Sequence, residues 1–267
     1  MSPFRLDIQT DCVASLETLK AQAALHQDYL RLPQCAPGFR AGRKLAVVGA
    51  GPLVVHDLEE LRAWDGDIWA INSAARWLFE NGIDSTLFTI DPLEMPYQFP
   101  MSRAIVATCC HPSTFAKLEH AEVRVINLCE THPDGLAGGC TTALRAPALA
   151  FNQGYLDVSF FGCEGSYEGE RDHVDYHNGE SEELVIRAGG RDYRIETGLL
   201  VQCQDFVRLF TTFPDVFKNR SGGLLKAMME HPDTWEVVAV SAAMKAHLER
   251  VNGKQGIYEK PYERPST

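Results

Sequence analysis

The chain has 267 residues, of which 45% are hydrophobic and 23% charged, with a net charge of −11. That composition is ordinary for a globular protein and excludes disordered and collagen-like classes. The acidic balance, with Lys and Arg scattered and no basic stripe, argues against binding duplex nucleic acid by phosphate neutralisation.

Residues 1–43 read as a helical appendage. Asp11 or Ser15 is placed to cap a helix that runs to about Leu30, with Leu16, Leu19, Ala23 and Leu30 on a rough apolar face, and Pro33, Pro37 and Gly38 break it. Arg40 to Lys44 is a polar lead-in. Leu45 to Val48 is a continuous apolar run, the pattern of a strand buried on both faces. A helix is predicted over Val54 to Trp64, a strand over Asp67 to Ile71, and a helix over Ala74 to Asn81 closed by Gly82. Strands follow at Ser85 to Ile90, Arg103 to Thr108 and Val123 to Asn127, with a short helix from Phe115 to His120 before the last of them. Thr141 to Asn152 reads as a helix kinked at Pro147, and Val158 to Phe161 as a sixth strand. Strands alternating with helices over this length point to an α/β, doubly wound, mostly parallel sheet.

The pattern changes at Gly162. Residues 163–183 are polar and acidic. Leu184 to Ile195 reads as a hairpin turning at Gly189-Gly190, so 163–197 is taken as a polar lid with a β-hairpin insertion. A helix from Leu199 to Phe210 and a late strand from Val216 to Asn219 complete a domain of 44–230. Residues 231–267 are expected to form a C-terminal helix and tail. Met1 to Asp7 contains no apolar signal core, and no apolar run reaches the ~18 residues of a membrane span, so a cytoplasmic protein without a membrane span is expected. The eight cysteines sit largely in apolar runs and read as small buried hydrophobes. Cys109-Cys110-His111 reads as strand-end packing rather than a metal cluster.

In a doubly wound sheet ligands sit at the carboxyl ends of the strands, so the turns there are the places to seek chemistry. Gly49-Ala50-Gly51-Pro52 ends the first strand. Glycine allows positive φ or close approach, proline suits a first helical position, and the following N–H groups favour an anion. The spacing is neither a dinucleotide fingerprint nor a Walker A loop. Asn72 and Asp91 end the next two strands, where each is either a ligand for nucleotide or metal or a local cap. Gly139, Thr141 and Thr142 open a helix and offer a cap and an anion site together. Glu164 follows the sixth strand, and His173 and His177 lie in the lid, all three being candidate proton-transfer groups. Ser221 and Gly222 form a second glycine turn, beside Arg220 and Lys226, which could neutralise phosphate.

The order Val48-Gly-Ala-Gly-Pro52, Ala70-Ile-Asn-Ser-Ala74, Gly82-Ile-Asp84, Thr89-Ile-Asp-Pro92, Gly139-Cys-Thr-Thr-Ala143, Phe161-Gly-Cys-Glu-Gly-Ser-Tyr167 and Asn219-Arg-Ser-Gly-Gly223 resembles the archaeal-type 6-hydroxymethylpterin diphosphokinase (MptE-like) family over residues 44–228. The resemblance implies a Rossmann-like core and a nucleotide-dependent transferase. That enzyme would move a diphosphate or another nucleotide-activated group to a small-molecule hydroxyl. Its donor would be ATP or a nucleotide-sugar, with Mg held by Asp91. Related motility accessory factors and bacterial sialyltransferases make glycosyl transfer to a glycan or protein the alternative, and a non-catalytic nucleotide binder a third. The resemblance leaves a homo-oligomer open. Two residues depart from the family pattern: Leu53 stands where serine is usual, and Glu164 where aspartate is usual.

Overall fold

The computed structural model describes residues 14–240 except 37, 96, 97, 99, 170, 172, 175–182 and 233. The first helix, α1, spans Leu16–Leu25 and is capped by Ser15, whose side chain accepts from the Thr18 N–H. It stops five residues short of the expected end. Leu19 and Ala23 are buried, whereas Leu16 and Leu30 stay exposed. The chain beyond α1 turns extended: Leu32 N–H donates to the Val125 carbonyl and Val125 N–H to that of Leu30. Residues 30–32 thereby cover a strand edge that would otherwise present unpaired backbone groups. His26 fastens this appendage. Its ring stacks on Phe115 at 3.7 Å between centroids, and Nδ1–H donates to the Thr108 carbonyl at 2.9 Å. His26→Ala should destabilise the fold by about 2 kcal/mol. Limited proteolysis should then cut the chain near residues 27–36 first.

β1 (Arg40–Val48) begins five residues earlier than its apolar run. Arg40 already pairs with Tyr155, and a register shift precedes Lys44. The polar half was read as a lead-in because its side chains are exposed. It is held instead by Arg40, Arg43 and Tyr155 converging on Asp67. After Gly49–Gly51 comes a 3₁₀ turn, Pro52–Asp57, and only then α2 (Leu58–Arg62), where one continuous helix was expected. The chain continues through β2 (Gly66–Ile71), α3 (Ala74–Glu80), β3 (Thr86–Thr89), β4 (Arg103–Ala107), α4 (Pro112–Lys117), β5 (Glu122–Ile126), α5 (Thr142–Asn152) and β6 (Tyr155–Phe161). α5 runs through Pro147 without interruption.

β7 (Glu183–Ala188) and β8 (Arg191–Glu196) form the expected hairpin, with both turn glycines, Gly189 and Gly190, at positive φ. α6 (Thr197–Thr212), β9 (Phe217–Asn219) and α7 (Gly223–Glu230) follow. The described part of 231–267 holds a strand, β10 (Glu236–Val240), where a helix was expected. It pairs antiparallel with β7, so the hairpin becomes a three-stranded sheet. Valines at 237, 238 and 240 favour that extended state over a helix.

The main sheet has seven strands in the order β5-β4-β3-β2-β1-β6-β9, and every adjacent pair is parallel. This is an α/β, Rossmann-like fold. Its central strands are apolar on both faces because helices cover both: Leu45 to Val48 and Phe160 to Phe161 are fully buried. On one face Phe160 packs against Phe206 and Phe210 of α6. On the other, Phe161 meets Trp64 edge-on. No helix among the described residues is long and apolar enough to cross a membrane.

Candidate functional site

Strand order reverses between β1 and β6: β2 to β5 lie on one side and β9 on the other. Such a switch point opens a crevice at the carboxyl ends of the strands. Two turns meet there. Gly49 N–H donates to the Phe161 carbonyl at 2.8 Å, and Gly51 N–H to that of Gly162 at 2.9 Å. A Cβ on Gly49 would overlap the Gly162 carbonyl, and Gly162 itself holds φ +63°. Gly51 has φ −60°, so it is not glycine for its dihedral freedom. Its missing Cβ makes room for a neighbouring side chain. Of this turn, Ala50 N–H makes no backbone hydrogen bond among the described residues, Leu53 N–H is directed at Glu164, and Pro52 has none to offer. An anion at the turn would therefore find one free donor, fewer than its spacing suggests.

The group beneath Gly51 is the carboxylate of Glu164. A Cβ on Gly51 would overlap Oε2 and lie 2.6 Å from Cδ; one on Gly223 would lie 2.7 Å from Glu164 Cβ. Glu164 is 1% exposed, and neither carboxylate oxygen completes a hydrogen bond. Burial pushes its pKa up to about 7. Its own backbone N–H pulls the other way, the nearby Asp57 adds to the rise, and the Leu53 N–H tempers it. Those N–H groups approach the carboxylate without reaching hydrogen-bond geometry, so the charged form is poorly compensated. Asp57 is itself raised, chiefly by burial and then by Glu60.

The strands behind Glu164 are clamped. Cys163 N–H donates to Ser221 Oγ, whose own hydroxyl donates to the Phe160 carbonyl, and Leu224 N–H donates to Ser166 Oγ. Ser221, expected as an anion ligand, thus spends its hydroxyl joining β6 to β9. Gly222 faces Leu53 Cδ1, which its Cβ would meet at 3.0 Å. Arg220 turns toward Glu60, and Lys226 toward Glu230.

Asn72 ends β2 at φ +48°, and its Oδ1 is buried without a partner. A strained backbone and an orphaned acceptor at a strand end mark a ligand position more strongly than either alone. Asp91 accepts from Leu93 N–H at 3.0 Å, the local Asx turn, and burial raises its pKa. Among the described residues no group of three or more His, Cys, Asp or Glu is placed to hold a metal, so Asp91 has no partners for a protein-built Mg cage.

Thr141 caps α5. Its Oγ accepts from Leu144 N–H and donates to Gln202 at 2.7 Å, which commits the hydroxyl within the protein. Gly139 is needed because a Cβ there would strike the Leu144 side chain, and Thr142 is buried. His173 is half-buried, and the adjacent Val174 N–H donates to the Ala50 carbonyl at 2.8 Å. That bond ties Val174 to the glycine turn. His177 lies outside the described residues. Sequence reasoning passed over Arg145, a buried cation in α5 that donates to the Leu136 carbonyl and pairs with Glu130, holding the loop before the helix. An arginine inside the apolar run Ala143–Ala150 was its signal.

No family model matches the chain, and no curated protein matches it. Among solved structures, the MAf glycosyltransferase from Magnetospirillum magneticum AMB-1 is similar over 80% of this chain, with a TM-score of 0.60 and 17% identity. The likeness is one of fold. It takes in 38% of that protein's length, so this chain matches well under half of it.

Proposed function

We propose that this protein is a nucleotide-dependent transferase that moves a sugar from a nucleotide-sugar onto a hydroxyl, with the crevice between β1 and β6 as its site. The observation that carries the reading is Glu164: a buried, uncompensated carboxylate with a pKa of about 7, placed at the switch point under the glycine turn. A group tuned to that range can take a proton near neutral pH and give it up again. In the transfer, the acceptor hydroxyl loses its proton, relayed by one water, to the buried Glu164 as its oxygen bonds the anomeric carbon. The bond from that carbon to the donor phosphate oxygen breaks, and the nucleotide leaves with the electron pair. The N–H group of Ala50 would steady the leaving charge, Asn72 Oδ1 would accept from the nucleoside, and His173 would close over them from the lid. The fold shared with a glycosyltransferase favours a sugar as the group transferred. The ordered residues of the pterin diphosphokinase type support a second reading, in which a diphosphate moves from ATP.

Thermal unfolding with CMP-, UDP- and GDP-sugars and with ATP, each in magnesium and in EDTA, separates the two. A ligand about 100-fold above its Kd stabilises by about 3 kcal/mol. A shift with one nucleotide-sugar, followed by release of its nucleotide on adding acceptor alcohols, is the expected result. A shift confined to ATP with magnesium, followed by release of AMP on adding an acceptor alcohol, would establish diphosphate transfer instead. No shift with any donor would overturn both.

A further inference from the structure

A second cavity lies on the sheet face away from α6. The parallel register places Lys44 opposite Asp157, and Ser159 opposite both Ala46 and Lys218, so these side chains share one face with Phe161. α2 covers part of that face and ends at Arg62. Past it, Trp64 forms one wall, Arg220 and Glu60 the end nearer the crevice, and a space of about 330 Å³ remains over Ser159. Its polar groups are unevenly satisfied. Lys218 pairs with Asp157 at 2.7 Å, and Arg220 reaches Glu60 only at 3.9 Å. Lys44 and Asp65, which also line the space, make no ion pair among the described residues. Ser159 is 1% exposed as a residue and lines the space. The Trp64 indole N–H has no partner.

A sheet position on the helix-covered face would normally carry an apolar residue, and the hydroxyl of Ser159 instead lines an accessible space. Here the position opens into a cavity that offers a free cation, a free carboxylate, a hydroxyl and an aromatic wall. We infer that this cavity binds a small polyhydroxylated anion, a sugar acid or a sugar phosphate, at a site separate from the crevice. Lys44 takes the anionic group. Ser159 and Asp65 take hydroxyls, and the ring lies against Trp64. The volume suits one hexose. This inference does not rest on the proposed transfer reaction.

Calorimetric titration of the full chain with glucuronate, glucose 6-phosphate, glucose and inorganic phosphate tests it. One of the two anionic sugars should bind, and which one does identifies the anionic group. Lys44→Ala, at an exposed position, should leave the unfolding midpoint in place and weaken that binding about tenfold, the worth of one charge-assisted hydrogen bond. Ser159→Ala should weaken it severalfold, and Lys44→Gln serves as a second charge-free variant. Equal binding of glucose would overturn the inference. So would binding of inorganic phosphate as tight as either sugar (an adventitious ion only), binding unchanged in Lys44→Ala, or no binding by any of the four.

Discussion

Replacing Gly51 with alanine is expected to destabilise the protein by about 2–3 kcal/mol, the upper range for overpacking a filled interior. For a chain of this length that is a fall in Tm of roughly 5–10 °C. The new methyl would overlap Glu164 Oε2, lie 2.6 Å from Cδ and lie 2.8 Å from the Gly162 carbonyl. The carboxylate has little room to retreat, since Gly223 already meets Glu164 Cβ on the other side. The carbonyl cannot retreat either, because Gly51 N–H is bonded to it. The double variant Gly51→Ala, Glu164→Ala should therefore recover most of the loss and keep a remainder owed to the Gly162 carbonyl. A double-mutant cycle by urea denaturation measures this. Additive effects would mean that the two positions do not share one space. The same steric argument separates the role assigned to Gly51 here from one in which it only lets a ligand approach. In that second case alanine would weaken nucleotide binding and leave stability alone.

The strands of the parallel sheet were legible in the sequence, though not their spatial order, because each buried strand is a short apolar run closed by a polar or glycine turn, as at Val48-Gly49, Ile71-Asn72 and Phe161-Gly162. What the turns do was less legible. Gly49 and Gly51 look alike in sequence and serve different neighbours, a carbonyl across the switch point and a carboxylate beneath the turn. Ser221 and Thr141 carry the hydroxyls expected of an anion site. Both are committed to long-range bonds, to Phe160 and Gln202, that no local pattern announces. Asn72 shows the reverse: a strand-end amide is usually an Asx turn, and here it stands strained and unpaired. β10 was missed because it forms only by pairing with β7, some fifty residues earlier. The polar half of β1 was missed for a similar reason, since its partners Tyr155 and Asp67 are brought by other strands. Nothing in the sequence around Ser159 hinted at a second cavity, because Ser159 sits inside the continuously buried run Val158 to Phe161 and reads as a core position.

Glu164→Gln is expected to raise stability and remove turnover together. The wild-type carboxyl has a folded pKa of about 7 against 4.5 for an ordinary glutamate. Below about pH 4.5 the group is protonated in both states and costs nothing. As pH rises through 4.5 the unfolded chain releases its proton while the folded protein keeps it, so stability falls until about pH 7 and then stays lower. A gap of that size corresponds to about 3 kcal/mol. Glutamine keeps the shape and removes the titration. The variant should thus match the wild type near pH 4 and exceed it by up to about 3 kcal/mol at pH 8, less whatever its buried amide lacks in partners. Denaturation at a series of pH values reads this directly. If Glu164 only filled the space under Gly51, the gain in stability would come with unchanged function. As the proton acceptor, its loss should instead reduce turnover by about 10² or more with donor binding intact. The wild-type rate should rise with pH through about 7 as the carboxylate forms. A natural sequence that keeps a destabilising carboxylate where an amide would fit has a use for its charge, and the rise in rate over the same pH range in which stability is lost would identify that use as catalysis.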